Sequence, residues 1–297
     1  MNKKTFKTVL STVAAAVALS ACTMIPKYEQ PQVEVAETFK YDTFDDGIRA
    51  ADLGWQDFFA DPRLHRLIDI ALERNTDLRT AALNAEIYRK QYMIARNDLL
   101  PSINASGTGT RVGSLSGGVT RSEYTVGLGA AAYELDLFGR VRSNSQAALQ
   151  GYFSVAANRD AAHLALIAAV AKAHFNELYA QESMALAQRV LKTRETTYKL
   201  SQMRHKAGVI SAVDLRQQEA LIESAKADYA NAVKNREQAR NALATLINQP
   251  LPEDLPAALP LSKQFKITRL PAGLSSEVLL NRPDIRAAEH SLKQANA

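Results

Sequence analysis

GRVRSNSQAALQGYFSVAANRDAAHLALIAAVAKAHFNELYAQESMALAQRVLKTRETTYKLSQMRHKA, residues 139–207, holds no proline and a single interior glycine, Gly151. About 67 helix-compatible residues in one run reach roughly 100 Å at 1.5 Å per residue. That is far longer than a helix of an ordinary globular domain, and it points to a coiled coil or helical barrel. Ala157, Leu164, Ala171, Leu178 and Ala185 recur every seven residues, and Ala161, Ala168 and Phe175 lie four residues after the first three. A seven-residue repeat imposes left-handed supercoiling. The many alanines let a neighbouring helix come close.

The run breaks at Lys206-Ala-Gly-Val-Ile-Ser-Ala212. Gly208 is a helix C-cap by type. Ser211, with Asp214 three residues on, forms a variant of the capping box and starts a second helix. That helix runs from about Ala212 to Ile247, with heptad pairs Leu215/Gln218, Ile222/Ala225, Tyr229/Ala232, Arg236/Ala239 and Leu243/Leu246. Only Gln218 and Arg236 are polar in the seam. Arg236 is open to three readings (a lumen, a neighbouring chain or, by default, solvent). The two helices form a long hairpin with its turn at Gly208.

Working outward, Pro250, Pro252, Pro256, Pro260 and Pro271 follow within 22 residues. Such a stretch reads as an extended linker and not as a core element. Upstream of the long helix the period is two. Ile103, Ala105, Gly107 and Gly109 alternate with Asn104, Ser106, Thr108 and Thr110. Tyr124, Val126, Leu128, Ala130 and Ala132 alternate with Thr125, Gly127 and Gly129. Gly113 to Gly118 form the turn between them. These are two strands of a hairpin, each with one apolar face and one small or polar face, the pattern of a transmembrane barrel strand. A lone hairpin is marginal in water, so this one requires other copies or further chain to pair with. Before it, Asp61-Pro62 starts a helix with Asp as N-cap and Pro at the first position. A second helix runs to about Asn97, and Pro101 ends it.

At the N-terminus, Lys3, Lys4 and Lys7 precede an apolar stretch from Val9 to Leu19, too short to span a bilayer and consistent with a secretory signal. Leu19-Ser20-Ala21-Cys22 resembles a bacterial lipobox. Cys22 is the only cysteine, so no disulfide can form within the chain. A free buried thiol is the alternative to lipidation, and the position favours lipidation. Thr23, rather than aspartate, implies the outer membrane. Without the three signal lysines the formal charge falls from +5 to +2. The near-neutral remainder, with 7% aromatic residues, argues against a nucleic-acid partner.

Leu280-Asn-Arg-Pro-Asp284-Ile-Arg-Ala-Ala288 resembles Leu72-Glu-Arg-Asn-Thr-Asp77-Leu-Arg-Thr-Ala81, with one residue fewer before the aspartate; the two aspartates are 207 residues apart. A chance match is the alternative to an internal repeat. If it is a repeat, the chain ends early in its second copy.

Together, Trp55-Gln-Asp-Phe-Phe-Ala-Asp-Pro62, Tyr133-Glu-Leu-Asp-Leu-Phe-Gly-Arg140, Ala207-Gly-Val-Ile-Ser211 with Asp214, and Asn281-Arg-Pro-Asp-Ile-Arg286 resemble the TolC-like outer-membrane efflux channels, in their lipidated OprM-type branch. The resemblance implies a mainly α fold with a membrane β-hairpin: a long coiled-coil α-hairpin plus transmembrane barrel strands, the first of two repeats. It implies a signal peptide over 1–21, a lipid-anchored linker over 22–60, equatorial and periplasmic helices over 61–98 and an outer-membrane hairpin over 99–138. A periplasmic α-hairpin over 139–248, an inter-repeat linker over 249–273 and the start of a second repeat over 274–297 complete the expectation. The full protein would be a homotrimer, anchored through Cys22 in the outer membrane and extending into the periplasm. It would passively conduct small amphiphilic compounds for a tripartite multidrug export system. Its partners would be a periplasmic adaptor and an inner-membrane pump of the proton-driven RND type. Arg204, Gly208, Val209, Ser211 and Asp214 would meet the adaptor at the hairpin tip, with a glycine favoured by close packing of the adaptor's helix tip. Gate residues of the family lie mainly on the second repeat, so the chain reads as a fragment not competent as a channel alone. A channel for secreted proteins and a purely structural periplasmic lipoprotein are the competing readings.

Catalysis finds no support in the residue pattern. His65, His163, His174, His205 and His290 show no zinc spacing, and there is no nucleophile elbow. His174 and Glu177 stand three apart in the reverse of the di-iron order, and His174 reads as a helix-surface residue. Gly107-Thr-Gly-Thr-Arg-Val-Gly113 lacks the lysine of a phosphate loop. No cofactor or metal is expected.

Overall fold

A computed structural model of the chain describes residues 25–29, 53–113, 121–130, 133, 136–267 and 276–297. The elements in order are α1 (Trp55–Phe58), α2 (Pro62–Arg74), α3 (Thr76–Asn97), β1 (Ile103–Val112), β2 (Arg121–Ala130), α4 (Arg140–Lys206), α5 (Ala212–Leu246), 3-10 turns at Leu261–Lys263 and Ser276–Asn281, and α6 (Pro283–Asn296). They divide between two compact units. One comprises the described parts of 1–34, 82–158 and 283–297; the other comprises those of 35–81 and 159–282.

The second unit is organised around α2. Asp61 caps this helix, its carboxylate accepting the Arg63 N–H at 2.8 Å, and Pro62 occupies the first helical position. Leu64, Leu67, Ile68 and Ala71 follow at helical spacing and are fully buried. They pack with Leu166, Ile167, Val170 and Ala171 of α4, Leu243 at the end of α5, and Phe59 and Ile247. Fully burying a side chain of this size is worth about 1.5–3 kcal/mol, so this cluster is the main stabilising feature of the unit. Phe58, Phe59, Phe175 and Phe265 add tilted and edge-on ring contacts with centroids 5.0 to 6.2 Å apart.

The α5 heptads hold throughout. Ile222, Ala225, Ala239 and Leu243 are buried, and the other six seam positions, Gln218 and Arg236 included, are half-buried. On α4 the seven-residue count fails in part. Ala171 and Leu178 are buried, but Leu164 is 54% exposed and Ala168 is exposed. The buried stripe instead runs through Leu166, Ile167, Val170, Ala171, His174, Glu177 and Leu178. Contact with the α2 ridge sets this stripe at helical spacing, whereas alanines occurring every seven residues constrain the face only weakly.

Two expectations are corrected here. His174 is not a surface residue: it is 0% exposed. Nor is the proline-rich segment excluded from the core. It has little regular structure, but Leu251 and Leu255 pack against the cluster and Gln264 is buried. Backbone hydrogen bonds sew it down, from Ala60 N–H to the Gln264 carbonyl at 2.8 Å and from Lys266 N–H to the Phe58 carbonyl at 3.0 Å, around an antiparallel Phe59–Phe265 bridge. Proline spacing carries no information about such long-range pairing.

The first unit contains the hairpin. β1 pairs antiparallel with β2, Ile103 opposite Ala130 through to Val112 opposite Arg121. It also contains a helix contact: α6 lies on the N-terminal part of α4, where the Ser154 and Ser291 hydroxyls are 2.8 Å apart and Gln150 meets His290 at 2.8 Å. Gly151 faces the Gln294 side chain, which a Cβ would approach to 3.1 Å. Asp77 and Asp284, the aligned residues of the proposed repeat, are each the second residue of their helix.

Candidate functional site

All five residues singled out at the tip take part in the turn joining α4 to α5, Arg204 and Val209 through their backbone alone. The Val209 N–H returns to the Arg204 carbonyl and the Gly208 N–H to the His205 carbonyl, each at 2.9 Å, the paired bonds of a Schellman cap. The cap places Gly208 at φ +71°, a left-handed conformation costly to any residue with a Cβ. A Cβ there would meet nothing within 4 Å, so backbone conformation, without any appeal to packing, accounts for this glycine. Ser211 then starts α5 with the complete capping box. Its hydroxyl accepts the Asp214 N–H at 3.1 Å while the Asp214 carboxylate accepts the Ser211 N–H at 3.1 Å and its hydroxyl at 2.8 Å. Those bonds from Ser211, first from the hydroxyl and then from the backbone, hold the Asp214 carboxyl below its ordinary pKa. His205 donates Nδ1–H to the Ile210 carbonyl at 3.0 Å and closes the turn.

The side chains of Arg204 and Val209 are exposed and take no part in building the turn. The surface is wider than the motif suggested, since Met203 and Val213 are exposed beside Val209 at 61%, 67% and 62%. Arg204 and Lys206 lie in the last turn of α4, where cations complement the helix dipole. The tip therefore presents a small apolar cap rimmed by positive charge. Exposed apolar residues at the end of a hairpin were the missed signal, because heptad counting treats Met203 and Val213 as ordinary outer positions.

The β-hairpin register brings the apolar positions of the two strands onto one face. Ile103, Ala105, Gly107 and Gly109 stand opposite Ala130, Leu128, Val126 and Tyr124. The other face carries Asn104, Ser106, Thr108 and Thr110 opposite Gly129, Gly127, Thr125 and Glu123. Among the described residues no helix is long and apolar enough to cross a membrane. Where the chain leaves β2, Tyr133 donates its hydroxyl to the Leu99 carbonyl at 3.2 Å. Asp136 accepts the Val141 and Arg142 N–H groups at 3.1 and 3.0 Å and the Arg142 side chain at 3.1 Å. Desolvation acts against its charge, but these bonds outweigh it and hold the carboxyl below its ordinary pKa. Within the Tyr-Glu-Leu-Asp-Leu-Phe-Gly-Arg motif, Asp136 thus caps a very long helix. Cys22 lies outside the described residues, as does all but the first residue of the turn expected from Gly113 to Gly118.

Residues 67–249 match the family described as outer membrane efflux protein. The chain is 40% identical over 303 residues to the probable efflux pump outer membrane protein TtgC of Pseudomonas putida, covering 98% of this chain and 62% of that one. It is 35% identical over 289 residues to the cation efflux system protein CusC of Escherichia coli, covering 95% and 62%. The crystal structure of the open state of the Neisseria gonorrhoeae MtrE outer membrane channel superposes with a TM-score of 0.80 at 71% identity, covering 93% of this chain and 62% of that one. The chain thus spans a little over three fifths of the length of these relatives.

Proposed function

The chain belongs to the outer membrane efflux protein family, and from that premise we propose that it forms part of an outer-membrane channel conducting small amphiphilic compounds. An inner-membrane pump drives export through a periplasmic adaptor, and the channel itself performs no chemistry. The observation that carries this reading is one chain joining two unlike parts. A hairpin with one apolar and one small, polar face suits a barrel wall between lipid and water, and a helix of 67 residues suits a conduit that crosses a wide aqueous gap. Among the described residues the pair β1 and β2 leaves two unpaired edges, which a closed barrel removes. We assign Arg204 and Val209, with Met203 and Val213, to adaptor contact, and Gly208, Ser211 and Asp214 to holding the turn that presents them. Cys22 anchors the protein by lipidation.

Expression of the full-length protein that contains this chain, in a Gram-negative host lacking its own channel and with cognate adaptor and pump, is expected to lower sensitivity to dyes and detergents. The protein is expected in outer-membrane fractions as a heat-modifiable trimer with acyl chains on Cys22. Recovery as a soluble periplasmic monomer, with sensitivity unchanged, would overturn the reading.

A further inference from the structure

Asp61 does more than cap α2. Its Oδ2 accepts three further donors from distant parts of the chain: His174 Nε2–H and Gln264 Nε2–H at 3.0 Å each, and the Leu259 N–H at 3.1 Å. Gln264 also donates to the Leu259 carbonyl at 2.6 Å. One buried carboxylate thereby joins α2, α4 and the segment after α5. We infer that Asp61 and His174 are positioning residues of an acid-released latch, which holds residues 259–266 against α2 and α4 and lets go as pH falls below about 6.5.

The groups around the latch are few. Asp61 and Arg63 come from the start of α2, and His174 and Glu177 from one face of α4. Arg63 Nη2 stands 3.6 Å from Glu177 Oε2. The segment contributes a carboxamide and a backbone N–H, and the end of α5 contributes Leu243, with Ile247 just beyond it. Asp61 is ionised: desolvation opposes its charge, but the bonds from Gln264, His174, Arg63 and Leu259 prevail and hold its pKa below the ordinary value. An ionised carboxylate only accepts, so the proton of neutral His174 sits on Nε2. Burial, which outweighs the attraction of Asp61 and Glu177, pushes the His174 pKa below 6.5. Its Nδ1 is buried without a hydrogen-bond partner, as are Glu177 Oε2 and Gln264 Oε1. Nδ1 therefore has no acceptor in place for a second proton, as charging the ring would require.

The sign follows. A released His174 titrates near its ordinary 6.5, above its latched value. Opening therefore takes up a proton, and the latch has its full strength above pH 6.5 and weakens below. One proton per opening favours the open form by up to tenfold per pH unit. The proposal depends on the channel reading only for the source of acid, since a periplasmic surface meets the pH outside the cell.

Hydrogen exchange on the purified protein tests it without any transport assay. Amides of 256–267 are compared with those of 222–240 on α5 between pH 7.5 and 5.5, corrected for intrinsic rates. Protection of the first peptide is expected to fall by up to about fivefold from pH 6.5 to 5.5 while the second holds. Gln can donate to Asp61 but does not titrate, so H174Q should keep the latch and lose the slope. H65Q, which alters the ring bonded to the Phe59 carbonyl, should keep the slope. D61S should keep the α2 cap yet expose 256–267 at every pH. A wild-type slope no steeper in 256–267 than in 222–240 overturns the proposal, as does an undiminished slope in H174Q. If H174Q does not fold, the two wild-type peptides decide alone.

Discussion

Replacing Gly208 separates two explanations of the hairpin tip. Its φ of +71° lies in the left-handed region, where an L-residue costs about 1–2 kcal/mol and asparagine less. No atom stands within 4 Å of a Cβ built there, so within this chain the penalty is backbone strain alone. It falls on the turn held by the Val209 and Gly208 N–H bonds at 2.9 Å. A loss of 1–2 kcal/mol raises local opening by about 5- to 30-fold. Hydrogen exchange at those two amides should therefore accelerate by that factor in G208A, and by clearly less in G208N, while exchange in the middle of α5 is unchanged. Co-purification with the adaptor supplies the second reading. If the glycine serves only the backbone, asparagine restores both turn and binding. If the adaptor packs directly on the glycine, asparagine restores the turn and still blocks binding. Unaltered exchange in G208A, or faster exchange in G208N than in G208A, would refute the strain argument.

Leu67→Ala removes a fully buried side chain from the α2 cluster and should cost roughly 2–5 kcal/mol, read as a lowered midpoint in thermal unfolding followed at 222 nm. Asn75→Ala deletes the cap that accepts the Asp77 and Leu78 N–H groups at 3.0 Å and donates to the Leu246 carbonyl at 3.1 Å. A loss of about 1–2 kcal/mol is expected from the cap, measured as a shift in denaturant midpoint. On the hairpin, Val126→Arg should abolish heat-modifiable trimer in the outer membrane, since arginine on a lipid-facing barrel position costs about 2–4 kcal/mol near the midplane. Thr125→Arg, one residue away on the opposite face, should be tolerated in the same gel assay. Equal effects of the two would show that the face assignment is wrong.

Local rules carried the sequence reading a long way. The Asp61-Pro62 start, the Gly208 cap, the Ser211–Asp214 box and the end of α3 at Asn97 depend on a few neighbouring residues. Those positions fell where local chemistry puts them. The α5 seam was legible because Ile222, Leu243 and their partners are apolar enough to mark one face. The α4 seam was not, because alanine marks no face strongly and the decisive contact comes from α2. His174 and Gln264 were opaque for the same reason. Their common partner, Asp61, lies 113 and 203 residues away, and nothing in their immediate sequence shows such a bond. At the tip, the residues that shape the turn were legible and the full contact surface was not, since exposure of Met203 and Val213 depends on where the two helices end.

Helix starts recur as the places where distant segments are tied. Each start leaves backbone N–H groups without an intrahelical partner, so a side-chain acceptor there is already demanded by local structure. A serine hydroxyl has little left once it has capped, and the Ser211 box is accordingly a purely local device. A carboxylate offers about four acceptor sites. Asp61 uses one oxygen on the Arg63 N–H and the other on donors from α4 and from the segment after α5. Asn75 does the same with opposite polarity, its oxygen capping α3 while its amide holds the last carbonyl of α5. A chain built from long alanine-rich helices has few specific side-chain contacts along their lengths. Its specificity is therefore concentrated where helices begin, and substitutions at those few capping residues should disturb long-range register more than equally drastic changes along the helix walls.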